Sequence, residues 1–207
     1  MRKNIIYSLL LVVAALFAGC ESRLDIAKHG NMGGQDDFYQ TDEQTEQAVA
    51  SMYSSLKGLY YNWFFIKNLL SDDVWCGGGQ RGDNTSLEQL NEYTYGTDNG
   101  MIQGVFSGLY GLIYQSNLVI EKVADDTPAK KRAIAEAKFF RAWANFELVT
   151  LWGTAPLVDH LLEPGEYRQG NSTPEALWAA VESDLNDAIS MNALPSKKNK
   201  DDQETGM

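Results

Sequence analysis

The sequence predicts an all-α fold built from helix pairs of the kind that stack into solenoids. Three observations carry this reading. Apolar residues recur at spacings of three and four along most of the chain beyond Thr41. Two of these stretches open on Thr-Pro, at Thr127-Pro128 and Thr173-Pro174, which places a cap and a pre-set φ where a helix starts. No segment alternates apolar and polar residues for long enough to make a strand.

Taken in order, the chain opens with Arg2 and Lys3, an uncharged apolar run over residues 5–18, and Gly19-Cys20. That is the layout of a secretory signal, a basic start and an apolar stretch of about 7 to 15 residues ending at small residues. It is shorter than the roughly 20 apolar residues a spanning helix needs. Phe17-Ala18-Gly19-Cys20 resembles a bacterial lipobox, with Phe17 where Leu is more usual, and implies that Cys20 is acylated with palmitate-type chains. Residues 1–19 are then a signal peptide and the mature chain is anchored, not spanning, because each buried methylene contributes about 0.8 kcal/mol. Residues 20–40 are polar, aperiodic and glycine-containing, and read as a tether. With Cys20 lipidated, Cys76 has no partner for a disulfide. No His or basic cluster adjoins it in sequence, so it reads as a small half-buried residue and not a reactive thiol.

Thr41 followed by Gln44 has the spacing of a capping box, and Val49, Met52, Tyr53 and Leu56 continue as one helical face. Residues 59–70 hold Tyr60, Tyr61, Trp63, Phe64, Phe65 and Ile66, a run apolar enough to predict burial. The helical period lapses over residues 71–97, apart from a possible turn at 86–92, in a segment holding Gly77-Gly78-Gly79 and three large aromatics. Loops beyond about 12 to 15 residues are uncommon in compact domains unless they bind something or are disordered, and three aromatics argue against disorder. Periodicity returns at Met101 and runs to Val123. Within it Gly104, Gly108 and Gly111 share a face and predict close approach of another helix. A long helix follows from Pro128 to a C-cap at Gly153, and the short gap before it makes an antiparallel hairpin. The stripe Ile134, Ala137, Phe140, Ala144 and Leu148, widened by Phe139, Trp143, Phe146 and Leu151, predicts a helix covered on most sides. Arg141 and Glu147 within it read as ion-paired or backbone-bonded members of the helix stack. A last helix starts at Pro174 and ends before Pro195.

The balance of charge excludes one partner class. With 17 Lys and Arg against 28 Asp and Glu, the formal net charge is -11 and no basic stripe is available for nucleic acid.

Residues 133–158, AIAEAKFFRAWANFELVTLWGTAPLV, resemble the long-helix block of the SusD/RagB family of outer-membrane nutrient-binding lipoproteins. FYQTDEQTEQAVASMYSSL from Phe38, LSDDVW from Leu70, GLYGLIYQSNLVIEKV from Gly108 and ALWAAVESDLNDAI from Ala176 agree in the same order. The resemblance implies TPR-like helix pairs, a lipid anchor in the outer membrane of a Bacteroidetes-type cell, a surface-facing position, and a TonB-dependent, SusC-like transporter as partner. It also implies a chain more than twice this length. Residues 41–207 therefore read as the N-terminal portion of a SusD-like helical domain, a fragment or truncated product ending where the next block would begin.

No constellation supports catalysis. His29 and His160 lack nucleophiles around them. Asp72 and Asp73 are adjacent, whereas a glycosidase needs facing carboxyls about 5 to 9.5 Å apart. No cofactor or metal is predicted, although Asp83, Asn84, Asp98 and Asn99 carry hard oxygen atoms. The loop over residues 71–100 does hold the materials for carbohydrate. Sugar C–H faces rest on Trp75 and Tyr95, and vicinal hydroxyls pair with Asp73, Arg81 and Asp83. Trp75 and Tyr95 serving only to anchor the loop to the core is the competing reading. Two functions follow: a glycan-binding lipoprotein that delivers oligosaccharide to the transporter, or a helical module that docks on the transporter and binds no sugar itself.

Overall fold

The computed structural model describes residues 38–195 of the 207. Cys20, the signal and the tether up to residue 37 lie outside the described residues. The helices are α1 (Asp42–Leu69), α2 (Thr85–Asn91), α3 (Gly100–Lys122), α4 (Pro128–Trp152) and α5 (Pro174–Ser190), with a 3₁₀ turn at Pro164–Glu166. The only strand-like pairing among the described residues is an isolated antiparallel bridge between Ala155 and Ser172.

Local chemistry sets each helix start. The Thr41 hydroxyl accepts from the Gln44 amide at 3.2 Å while the Gln44 side chain accepts from the Thr41 amide at 3.1 Å, the reciprocal box that satisfies two orphan donors. Thr127 and Thr173 cap α4 and α5 ahead of their prolines. Asn99, buried, caps α3 by accepting from Met101 and Ile102, and its own amide donates to Ser86 O and Gln89 Oε1 of α2. Gly153 ends α4 at φ 74, where a Cβ would be strained.

Pairwise contacts fix the directions. Phe106 meets Trp152 and Asn117 meets Arg141, so α3 and α4 run antiparallel as the short connection requires. Ser55 donates to Gln115 at 3.0 Å and Leu59 lies against Gly108, so α1 is also antiparallel to α3. α4 is the central helix, touching α1, α3 and α5. The core is built from Met52, Leu59 and Ile66 of α1, Leu109, Leu112 and Ile113 of α3, and Phe140, Ala144 and Leu148 of α4.

One buried ion pair ties the second half together. Arg141, 8% exposed, donates Nε and Nη2 to the two carboxylate oxygens of Asp184 on α5, both at 2.7 Å. Its Nη1 donates to Asn117 Oδ1 on α3 at 2.8 Å and to the Asp159 carbonyl at 2.6 Å. Asn117 in turn donates to the His160 carbonyl at 2.8 Å. Glu147, also buried, pairs with Lys67 Nζ of α1 at 2.7 Å. Both charged residues thus hold the helix stack together, as their setting in the long helix predicts.

Two expectations of burial fail. Residues 59–69 continue α1 without a break at Gly58, and Tyr60 is 58% and Phe64 41% exposed, with only Leu59, Ile66 and Leu69 of this stretch buried. On α4, Phe139 and Phe146 are exposed as well. A helix points side chains in every direction, and α2, α3 and α4 together leave part of the α1 surface uncovered. The remaining rings pack on one another, Tyr60 against Trp63 and Phe64 and Tyr61 against Phe65.

The glycine face of α3 divides likewise. A Cβ at Gly108 would lie 2.7 Å from Leu59 Cδ1, and one at Gly104 would collide with the Asn62 side-chain amide, whereas one at Gly111 would meet nothing within 4 Å. Gly108→Val is therefore expected to lower stability by about 1 to 3 kcal/mol through overpacking, and Gly111→Ala to raise it by up to about 1 kcal/mol through helix propensity, both read by urea denaturation. Asp184→Ala leaves the Arg141 guanidinium buried without its counter-charge, and the same assay should show a loss of about 3 to 5 kcal/mol.

Candidate functional site

The segment between α1 and α3 is braced from α2. Leu87 and Leu90 of α2 are buried, fixing this short helix on the body. From that platform Asn91 Oδ1 accepts from the Cys76 amide at 3.0 Å and Asn91 Nδ2 donates to the Val74 carbonyl at 3.3 Å, bracketing Trp75 on both sides. The backbone at residue 75 is held while its side chain points away. Trp75 is 78% exposed and no other ring packs on it among the described residues.

The polar residues near it serve the loop itself. Asp83 Oδ2 accepts from the Gly79 amide at 2.6 Å and the Gln80 amide at 3.0 Å. A Cβ at Gly78 would press to 3.1 Å from the same oxygen, so this glycine makes room for the Asp83 turn. The Gly82 amide donates to Glu88 Oε1 at 2.7 Å, and Arg81 Nη2 pairs with Glu92 Oε2 at 2.8 Å. Of the oxygen-bearing residues considered for a cation, Asn84 and Asn99 spend their side chains capping α2 and α3. Among the described residues no three His, Cys, Asp or Glu are grouped to hold a metal ion.

Of the five predicted contact residues, the structure leaves Trp75 and Asp73 in water, and Asp73 uses only its backbone amide, toward Ser71 Oγ. Tyr95, 41% exposed, lines a cleft of about 450 Å³ with Leu70, Thr97, Ile102, Leu151 and Trp152, formed where α1 ends and α3 begins. Arg81 and Asp83 are engaged in bracing. The reading of Trp75 as a core anchor is overturned by its exposure. Sequence reasoning did not single out Asn91, Glu88 and Glu92, whose role depends on α2 folding back on the loop. The Leu87 and Leu90 spacing behind Asn84 is the local signal of that helix.

The loop is acidic. Its sequence carries Asp72, Asp73, Asp83, Glu88, Glu92 and Asp98 against a single basic residue, Arg81. Cys76, partly buried, has its thiol pushed above the ordinary range by burial first and by Glu88 and Glu92 next.

The sequence model of a family described as starch-binding and associating with the outer membrane, SusD-like, matches residues 33–205. The chain belongs to the SusD-like family. A SusD-like protein of Bacteroides ovatus is 33% identical over 165 residues, 73% of this chain and 29% of that protein. SusD-like protein P2 of Formosa agariphila is 26% identical over 176 residues, 78% of this chain and 35% of that one. The chain thus spans about a third of the length of the curated relatives it matches. Among solved structures, a laminarin binding SusD-like protein superposes with a TM-score of 0.71 at 27% identity, over 81% of this chain and 37% of the other. A SusD superfamily protein from Bacteroides vulgatus does so with a TM-score of 0.67 at 24% identity, over 78% and 36%, and shares the fold. The SusD-like chain here is all-α, as its sequence predicts.

The bracing implies a local response. Asp83→Ala removes the acceptor for Gly79 and Gln80, and hydrogen exchange is expected to rise severalfold at those two amides while the global unfolding free energy changes by less than about 1 kcal/mol, since the bonds are exposed.

Proposed function

We propose that this chain contributes the ligand-capturing part of a surface lipoprotein that binds oligosaccharide and passes it, uncleaved, to a TonB-dependent, SusC-like transporter. Acylated Cys20 moors it to the outer membrane. The observation that carries the reading is Trp75, an indole held in water by a loop that α2 braces from behind. An exposed ring on a pre-ordered backbone loses little entropy on stacking against a sugar face, which is what a weak, repeated glycan contact needs. Tyr95 and its cleft supply a second apolar surface, and Asp73 a carboxylate for vicinal hydroxyls. Membership of a family described as starch-binding and likeness to a laminarin binding protein support the same class of ligand. Arg81 and Asp83 act in this reading by shaping the loop.

The excess of carboxylates around Trp75 repels uronates and sulfated glycans at low salt, so neutral glucans are the preferred class. The second reading, a docking module that binds no sugar, is favoured by the exposed rings of α1 and α4, a surface suited to another protein.

Calorimetry and affinity electrophoresis against laminarin, with a uronate polysaccharide beside it, separate the two. Binding of laminarin over the uronate, weakened about tenfold or more (about 1.4 kcal/mol) by Trp75→Ala, is the expected outcome. Equal affinity of the wild type and Trp75→Ala would remove Trp75 from the site, and absence of any binding would leave the docking reading.

A further inference from the structure

The connection between α4 and α5 has two differently fastened halves. Its inner half is held by hydrogen bonds to backbone carbonyls. Arg141 donates to the Asp159 carbonyl, Asn117 to the His160 carbonyl, Tyr110 Oη to the Pro156 carbonyl at 2.7 Å, and Ala155 bridges Ser172. Its outer half is fastened at Leu161, whose amide donates to Glu121 of α3, and beyond that by His160. His160 Nδ1 lies 2.8 Å from Asp159 Oδ1 and Nε2 lies 3.2 Å from Glu166 Oε2. The same Glu166 oxygen accepts from the Glu163 amide at 2.9 Å, completing the 3₁₀ turn Pro164–Glu166.

We propose that His160 is a proton-operated clasp, an imidazolium that pins the turn Pro164–Glu166 to the Arg141-held half of the connection and releases it on deprotonation. The geometry requires the charged ring. Both ring nitrogens face carboxylates, and only the imidazolium carries a donor on each. A neutral ring keeps one N–H, so one carboxylate meets a lone pair. Charged groups reach this turn from α3, from α4 and from the connection itself. From α3 comes Glu121, whose carboxylate accepts from the Leu161 amide. From α4 comes Arg141, whose guanidinium is taken up by Asp184 of α5, Asn117 and the Asp159 carbonyl. The connection itself supplies Asp159, Glu163 and Glu166, and beyond them Tyr167 and Arg168, both exposed. Deprotonation therefore leaves Asp159 and Glu166 facing an uncharged ring.

The hydrogen bond from Asp159, then that from Glu166, raises the His160 value above its ordinary 6.5. The Glu163 amide and then His160 lower Glu166, and the His160 bond lowers Asp159. A histidine raised in the folded state contributes fully below its unfolded value and loses that contribution as pH rises through the folded one. The clasp is thus shut in mild acid and opens above the His160 midpoint.

The test is a titration of the full chain from about pH 5 to about pH 9, following the His160 ring by NMR and protection factors, corrected for intrinsic exchange, over residues 162–168. The expected result is a His160 midpoint above that of free histidine and a loss of protection of about two- to fivefold, the range exposed pairs support, with the same midpoint. Residues 155–158 should not respond. His160→Gln should abolish the step, and Glu166→Gln should lower the His160 midpoint and abolish the step at the turn. A step that persists in His160→Gln, unchanged protection while His160 titrates, or a midpoint at or below that of free histidine would each overturn the proposal.

Discussion

The Arg141 guanidinium is the point through which the second half of this structure is assembled. Its bidentate bond to Asp184 sets where α5 lies along α4, its bond to Asn117 sets α4 against α3, and its bond to the Asp159 carbonyl brings the long connection down onto both. Burying an ion pair contributes little net stability, since desolvation offsets most of the attraction. What it adds is discrimination. A shift of α5 by one turn would strand the charge in an apolar interface, so competing registers are excluded more strongly than the native one is favoured. The Lys67 to Glu147 pair does the same for α1 on α4.

The same rigidity explains why the candidate site sits on a loop and still has a defined shape. α2 is too short to be stable alone, and it persists because Leu87 and Leu90 are buried and Asn99 joins it to the start of α3. From α2, Asn91, Glu88 and Glu92 reach back and fasten the preceding residues. The glycines of the loop let the backbone fold around Asp83, and the bulk that remains free is Trp75.

Helix starts were legible because they depend on neighbours in sequence. Thr41 with Gln44, Thr127 with Pro128, and Thr173 with Pro174 each state their own geometry, and Gly153 marks an end by its lack of a Cβ. Arg141 was readable as a bonded residue from its crowded setting, but not its partners, because Asp184 is 43 positions away and nothing local marks it. The ring-rich second half of α1 misled for a related reason. Composition reports how apolar a stretch is, while burial depends on how many sides of the helix have neighbours, and here Tyr60 and Phe64 lie where α1 is only partly covered. For the loop, residue types suited to sugar were equally suited to bracing, and only the fold separates Arg81 and Asp83, which brace, from Trp75, which stands free.

The uncovered rings and the acidic composition act in opposition on the behaviour of this chain in solution. A net charge of -11 disperses copies by long-range repulsion, whereas the aromatic face of α1 and α4 favours adhesion at short range. Electrolyte decides between them. As the screening length contracts toward about 3 Å near 1 M salt, repulsion fades while the affinity of ring for ring persists, so ionic strength sets whether the polypeptide stays colloidally dispersed or clusters.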